Sequence, residues 1–275
     1  MRFFQKKEEL MNYTIILSEQ EIADEKLHPN TLKMAKHFFD VHGFLKIENL
    51  FPKEFIQTLA SAYEKQLNFN EKEMTLSNGT LASNGRYIVP IDFKPPFNDP
   101  RLYASRILMP LMEELLGAHF ILSSLGAFSA LPGSTDQHLH ADYFSLFEED
   151  VSVSSKTPPF AITFAVPLVD VDLINGPTQI WSGSHHSYPI EQSMSAYQKH
   201  FLHGPIGSCY FWDYRTFHAG GSNYSDNIRS LLYMAYTRRW FKDFSNPDFL
   251  RIDEEAFKTI PEEHLKLFAQ CKKTH

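Results

Sequence analysis

His140 and Asp142 stand two residues apart, His218 lies far downstream, and Arg229 follows it at the head of an apolar run. Residues two apart in an extended segment project to one side. The imidazole of His140 and the carboxylate of Asp142 can therefore face one point while Ala141 turns away. A third ligand from another strand would complete a set of two imidazoles and one carboxylate on one face of a metal. That set suits Fe(II) and leaves the opposite positions open. Arg229 suggests what fills some of them. A guanidinium ahead of the apolar residues 230–236 is costly unless its charge is paired. Its planar fork binds a carboxylate through two parallel hydrogen bonds. Two partners fit: the carboxylate of a co-substrate, or a buried Asp or Glu of the chain itself.

The pair His-x-Asp is weak evidence alone, since a chain with 13 His yields about one such match by chance. His138 lies on the same strand face as His140 and is a rival ligand on spacing. The surrounding residues are more specific. Gln137 stands three before His140. Asn175-Gly176-Pro177-Thr178, Gly183-Ser184-His185, the run from Gly207 to Asp213 and His218-Ala219-Gly220-Gly221-Ser222-Asn223 then follow in order before Arg229.

In that order and spacing the chain resembles the phytanoyl-CoA dioxygenase family of Fe(II)/2-oxoglutarate oxygenases, over residues 30–240. The resemblance implies an α+β chain with a double-stranded β-helix core, of the jelly-roll or cupin-like type, and flanking N-terminal helices. It implies Fe(II) at His140, Asp142 and His218, with 2-oxoglutarate anchored by Arg229, and it favours His140 over His138. By the same resemblance Gln137 and Thr178 orient the co-substrate, although read from the residues alone either could equally satisfy backbone groups. Gly183-Ser184-His185 is expected to be structural, and Asn223 to orient the His218 segment.

The implied reaction is oxidative decarboxylation of 2-oxoglutarate to succinate and CO₂, coupled to removal of hydrogen from a substrate. Related halogenases carry a small residue in place of the carboxylate ligand, so Asp142 marks a hydroxylase type. Desaturation or ring formation could follow from the same chemistry. Two alternatives belong to other classes. A cupin-like dioxygenase or isomerase that uses no oxo acid would tend to hold more histidines and would have no need of Arg229. A non-catalytic ligand-binding barrel would be expected to lack one of the three ligands.

Composition narrows the partners. The net charge of −7 argues against nucleic acid and anionic membrane as partners. No apolar stretch is long enough to span a bilayer, and the first residues lack the apolar core of a secretory signal. Cys209 and Cys271 are the only cysteines, which suits a reducing cytoplasm. Met11 is an alternative start. The 24 Phe and 12 Tyr are mainly core, with some available to line a pocket. The expected partners are O₂ and a small or medium apolar metabolite. Oligomeric state is not legible.

Several elements must position these residues. Helical periodicity is expected over 31–42, 52–66 and 100–116, the last broken at Pro110, and again over 253–272. Strands are expected near 120–130, 137–142, 160–168, 177–182, 208–213, 215–220 and 229–239. Residues 1–275 read as one domain with its β-helix core at 120–240, and residues 1–20 are the candidate disordered stretch. Substrate recognition is expected from the N-terminal helices, residues 70–98 and the 143–158 loop, with Tyr143, Phe144, Leu146 and Phe147 at the mouth. Arg86-Tyr87 is a candidate polar anchor, and Arg238 and Arg239 are expected to face solvent.

Overall fold

A computed structural model describes residues 13–143, 146–147, 150–186, 191–243, 250, 252–271 and 273–274. The chain opens with β1 (Thr14–Ile16), α1 (Glu19–Ala23), α2 (Pro29–His42), β2 (Phe44–Glu48) and α3 (Lys53–Glu64). Ser18 and Glu21 form a reciprocal capping box that starts α1. Gly43 ends α2 in the left-handed region at φ 78°, donating its N–H to Phe39 O at 2.8 Å. The residue must be glycine for a second reason: a Cβ there would sit 2.4 Å from His185 Nδ1 and 2.5 Å from Thr216 Oγ1. The helix end therefore abuts the barrel directly.

The short pair β3 (Phe69–Asn70) and β4 (Thr75–Leu76) precedes the hairpin of β5 (Thr80–Ser83) and β6 (Arg86–Pro90). The expected helix over 100–116 is two helices, α4 (Pro100–Tyr103) and α5 (Met109–Leu116). The break falls ahead of Pro110, which occupies the first turn of α5, where its missing N–H costs no bond.

The core strands are β7 (Phe120–Ala130), β8 (Ala161–Pro167), β9 (Thr178–Trp181), β10 (Lys199–Leu202), β11 (Cys209–Asp213), β12 (His218–Gly220) and β13 (Arg229–Arg238). An eight-stranded sheet runs in the order β1-β2-β11-β8-β13-β7-β6-β5, and a three-stranded sheet in the order β10-β9-β12. Side chains alternate along the large sheet. Ile162, Phe164, Phe211, Leu232 and Met234 turn toward the core shared with α2, α3 and α5. Ala165, Tyr210, Trp212, Leu231 and Tyr233 turn inward, where they meet Ile180 and Leu202 of the small sheet. The two sheets thus enclose a second, aromatic interior, as in a jelly roll.

Four expectations are corrected. Residues 137–142 do not form a strand; they hold a single bridge, His140 to His218, because β12 is only three residues long. The expected strand 215–220 shortens to β12, since Thr216 N–H closes a turn onto Asp213 O at 2.8 Å. β1 and the start of α1 lie within the stretch expected to be disordered, and residues 1–12 of that stretch lie outside the described residues. Arg238 does not simply face solvent: its guanidinium donates to Pro159 O and Leu115 O. Among the described residues no helix is long and apolar enough to cross a membrane.

Candidate metal centre and its cavity

The bridge that replaces the expected strand brings the two histidines together. His140 N–H donates to His218 O at 3.0 Å and His218 N–H to His140 O at 2.8 Å, so their rings meet with centroids 4.4 Å apart. Each ring is oriented by the same local device. His140 Nδ1 lies 2.9 Å from His138 O, and His218 Nδ1 lies 2.9 Å from Thr216 O. A carbonyl only accepts, so both Nδ1 atoms carry the proton and both Nε2 atoms keep a free lone pair. Burial and the adjacent His218 push the His140 pKa down to about 4, which keeps that imidazole neutral and able to ligate.

Asp142 is held in the same divided manner. Its Oδ2 accepts from Thr163 Oγ1 at 2.7 Å and from Trp212 Nε1 at 3.0 Å. Thr163 on β8 and Trp212 on β11 are direct cross-strand partners, so the register of the large sheet sets the spacing of the two donors. The other oxygen, Oδ1, lies 3.6 Å from His218 Nε2. One ligand atom from each of His140, Asp142 and His218 falls within 4.8 Å of the others. Three lone-pair donors converge, each steadied by a bond to its opposite atom. His138 is exposed at the rim and is not in this cluster.

The three groups open onto a cavity of about 100 Å³ that also exposes Gln137, Thr178 and Arg229. Arg229 is buried, and its Nε has no hydrogen-bond partner. Among the described residues no carboxylate pairs with it. Burial and the nearby Arg86 push its pKa down to about 9. Arg86 is a second buried guanidinium in the same cavity. Both arginines pair with Ala130 of β7, one from β6 and one from β13, and so form one row on the inward face. The anchor expected at Arg86 is thus an interior residue, while Tyr87 turns into the core between sheet and helices.

Gln137 and Thr178 both border Gly220. Gln137 N–H donates to Gly220 O at 2.9 Å, and Gln137 Oε1 accepts from Gly220 N–H at 3.2 Å, which leaves its NH₂ available as a donor. Thr178 stands opposite Gly220 in the small sheet and is buried. Asn223 does not reach His218. Its side chain donates to Ala130 O and Asn227 O and accepts from Ser225, so it organises the loop that leads into Arg229. Ser184 is structural: its hydroxyl donates to Trp181 O and accepts from Phe217 N–H. Tyr143, expected at the mouth, packs edge-on against Phe241 and Phe160, while Phe144 lies outside the described residues.

Neither Thr163 nor Trp212, although Trp212 lies in the 207–213 run, is expected at the site from the sequence. Thr163 has a signal that could have found it, since it is the one hydroxyl in the apolar run 160–168. Trp212 has none, because its role depends on which strand lies beside β11.

The sequence profile of the phytanoyl-CoA dioxygenase (PhyH) family matches residues 39–231, and the chain belongs to that family. It is an enzyme of the Fe(II)/2-oxoglutarate-dependent oxygenase type. A curated relative, the dioxygenase himG of Aspergillus japonicus, is 19% identical over 264 residues, covering 85% of this chain and 77% of its own. Among solved structures, the epimerase SnoN from nogalamycin biosynthesis superposes with a TM-score of 0.60 at 19% identity, over 77% of this chain and 84% of SnoN. The carbocyclase SnoK from the same biosynthesis gives 0.59 at 18%, over 78% and 85%. HygX of Streptomyces hygroscopicus, solved with nickel, 2-oxoglutarate and hygromycin B bound, gives 0.58 at 16%, over 79% and 90%. At these identities the likeness to the solved structures is one of fold.

Proposed function

We propose that His140, Asp142 and His218 hold Fe(II), that Arg229 takes the distal carboxylate of 2-oxoglutarate, and that the protein hydroxylates a small or medium apolar metabolite in the cytoplasm. The observation that carries this reading is the pairing of a convergent His-Asp-His cluster with a buried, carboxylate-free Arg229 in one cavity. A dianionic oxo acid suits both ends: it offers chelating oxygens to a metal and a free carboxylate to a guanidinium. With O₂ bound, iron and 2-oxoglutarate supply the oxidation of a substrate C–H, releasing succinate and CO₂.

The chain's own residues do the rest. His140 and His218, each with Nδ1 turned to a carbonyl, present Nε2 to the metal. Thr163 and Trp212 hold one carboxylate oxygen of Asp142, which turns the other toward the cluster. The NH₂ of Gln137 and the hydroxyl of Thr178, both in the cavity lining, would donate to the chelating end of the oxo acid. Phe128, Leu231 and Tyr233 wall the cavity with apolar surface that keeps water out.

An anaerobic visible spectrum of the protein with Fe(II), before and after 2-oxoglutarate, tests this. A charge-transfer band that needs both additions is expected, and Asp142→Ala should lose it along with turnover. Fe(II) binding with no such band would overturn the co-substrate assignment and favour the cupin-like alternative. Product mass separates the outcomes of the oxidation: a gain of one oxygen marks hydroxylation, an unchanged mass marks epimerisation, and loss of two hydrogens marks cyclisation or desaturation. The likeness in fold to SnoN and SnoK keeps the last two in view.

A further inference from the structure

Arg86 belongs to neither segment that carries the metal-site histidines, yet it touches both. Its Nε and Nη2 each lie 3.3 Å from Thr135 O, on the segment that runs into His140. Nη2 also donates to Gly221 O, at the end of the strand that carries His218. Gly220 accommodates the contact. A Cβ at that position would sit 2.8 Å from Arg86 Nη1 and 3.0 Å from its Cζ. Beside it, Asp136 Oδ1 accepts from both N–H and hydroxyl of Ser222 at 2.7 Å, joining the same two segments again. The negative charge of Asp136 also offsets part of the cost of burying Arg86.

Gln137 and the His140–His218 bridge already bond these segments to one another. At this end Asn223, just beyond the strand that carries His218, is tied to the large sheet by its side chain, which donates to Ala130 O of β7 at 2.9 Å. Asp142 is fixed to that sheet through Thr163 and Trp212, and Arg229 is part of it. Arg86 supplies a second tie, whose single guanidinium reaches both histidine segments at once, from a strand, β6, that is bonded to β7 and stands in one row with Arg229.

We propose that Arg86 is a positioning residue of the metal centre: its guanidinium clamps the paired histidine segments onto the large sheet and so sets His140 and His218 relative to Asp142 and Arg229. The proposal rests on the metal site assigned above. It gives the fork of an arginine a reason that a lysine could not meet, because one ammonium on a flexible stem does not hold two carbonyls in fixed directions.

Co(II) binding, followed by its visible absorption in the absence of 2-oxoglutarate, tests the idea. Arg86→Met should weaken Co(II) about tenfold, the scale of losses behind a metal ligand, and Arg86→Lys should restore only part of it. Circular dichroism and a melting curve measure the folded fraction for which each affinity is corrected. Gly220→Ala gives an independent arm, since its Cβ displaces the guanidinium. It should lower Co(II) affinity in the native background but add no further loss in Arg86→Met. Native-like Co(II) affinity in Arg86→Met overturns the proposal, and a loss of 2-oxoglutarate affinity alone would make Arg86 a co-substrate anchor instead. Additive effects of Gly220→Ala and Arg86→Met also overturn it. His140→Ala is the control: if it binds Co(II) normally, the metal-site assignment fails, whatever Arg86 does.

Discussion

Arg215 and Arg229 are the same residue type, on neighbouring parts of one fold, at nearly the same depth: 2% and 4% exposed. Arg215 is complete. Its Nε and Nη2 bond both oxygens of the fully buried Asp213 at 2.8 and 2.6 Å, and its Nη1 donates to the carbonyls of Ser154 and Thr157. Arg229 has an orphaned Nε and no acidic partner among the described residues. A structural arginine closes its hydrogen bonds within the chain. One left open toward a cavity that also holds a His-Asp-His cluster is the arginine proposed above to take its partner from a ligand.

The contrast can be broken most forcefully at Arg215. Arg215→Ala strands the buried carboxylate of Asp213 and should cost about 3–5 kcal/mol of stability, read by urea denaturation. The fraction that remains folded should bind Fe(II) and 2-oxoglutarate as the native protein does. Comparable loss of co-substrate affinity there would mean that the two arginines are not functionally distinct.

Arg229→Met should act in reverse. Loss of a bidentate, charge-assisted contact should weaken 2-oxoglutarate binding about a hundredfold, measured by calorimetry with Co(II) in place of iron. Metal affinity should hold. Because an uncompensated buried charge is removed, the ligand-free protein should melt on the order of 2 °C higher, not lower. A large drop in melting temperature would show that Arg229 is structural after all.

Two milder changes sharpen the picture at the metal end. Trp212→Phe removes one of two donors to Asp142 Oδ2 and should lower Co(II) affinity about tenfold without altering the 2-oxoglutarate dependence of the spectrum. Gln137→Ala should weaken 2-oxoglutarate about fivefold, one neutral hydrogen bond's worth of binding, with metal affinity unchanged. No change on Gln137→Ala would confine that side chain to its backbone bond with Gly220.

The convergent His140, Asp142 and His218 and the buried Arg229 were legible as a group because their signal is local: a two-residue spacing, an apolar run interrupted by one charge, and turn residues in a fixed order. β7, β8, β9, β11 and β13 followed from the same periodicity. The expected strand at 137–142 failed because alternation says nothing of how long a partner is, and β12 supplies only three residues. β1, the β5–β6 hairpin and β10 escaped notice because short strands carry too little periodicity to stand out.

By itself, then, the sequence determined the family and singled out the side chains proposed to bear its chemistry, since both depend on residue type and near-neighbour spacing. The tertiary structure alone decided which groups hold them in place. That Thr163 faces Trp212, that Arg86 and Arg229 flank Ala130, and that Asp213 neutralises Arg215 while nothing described neutralises Arg229 are consequences of strand register and chain packing. Register joins residues far apart in the chain, and the energy that selects it belongs to the assembled sheet.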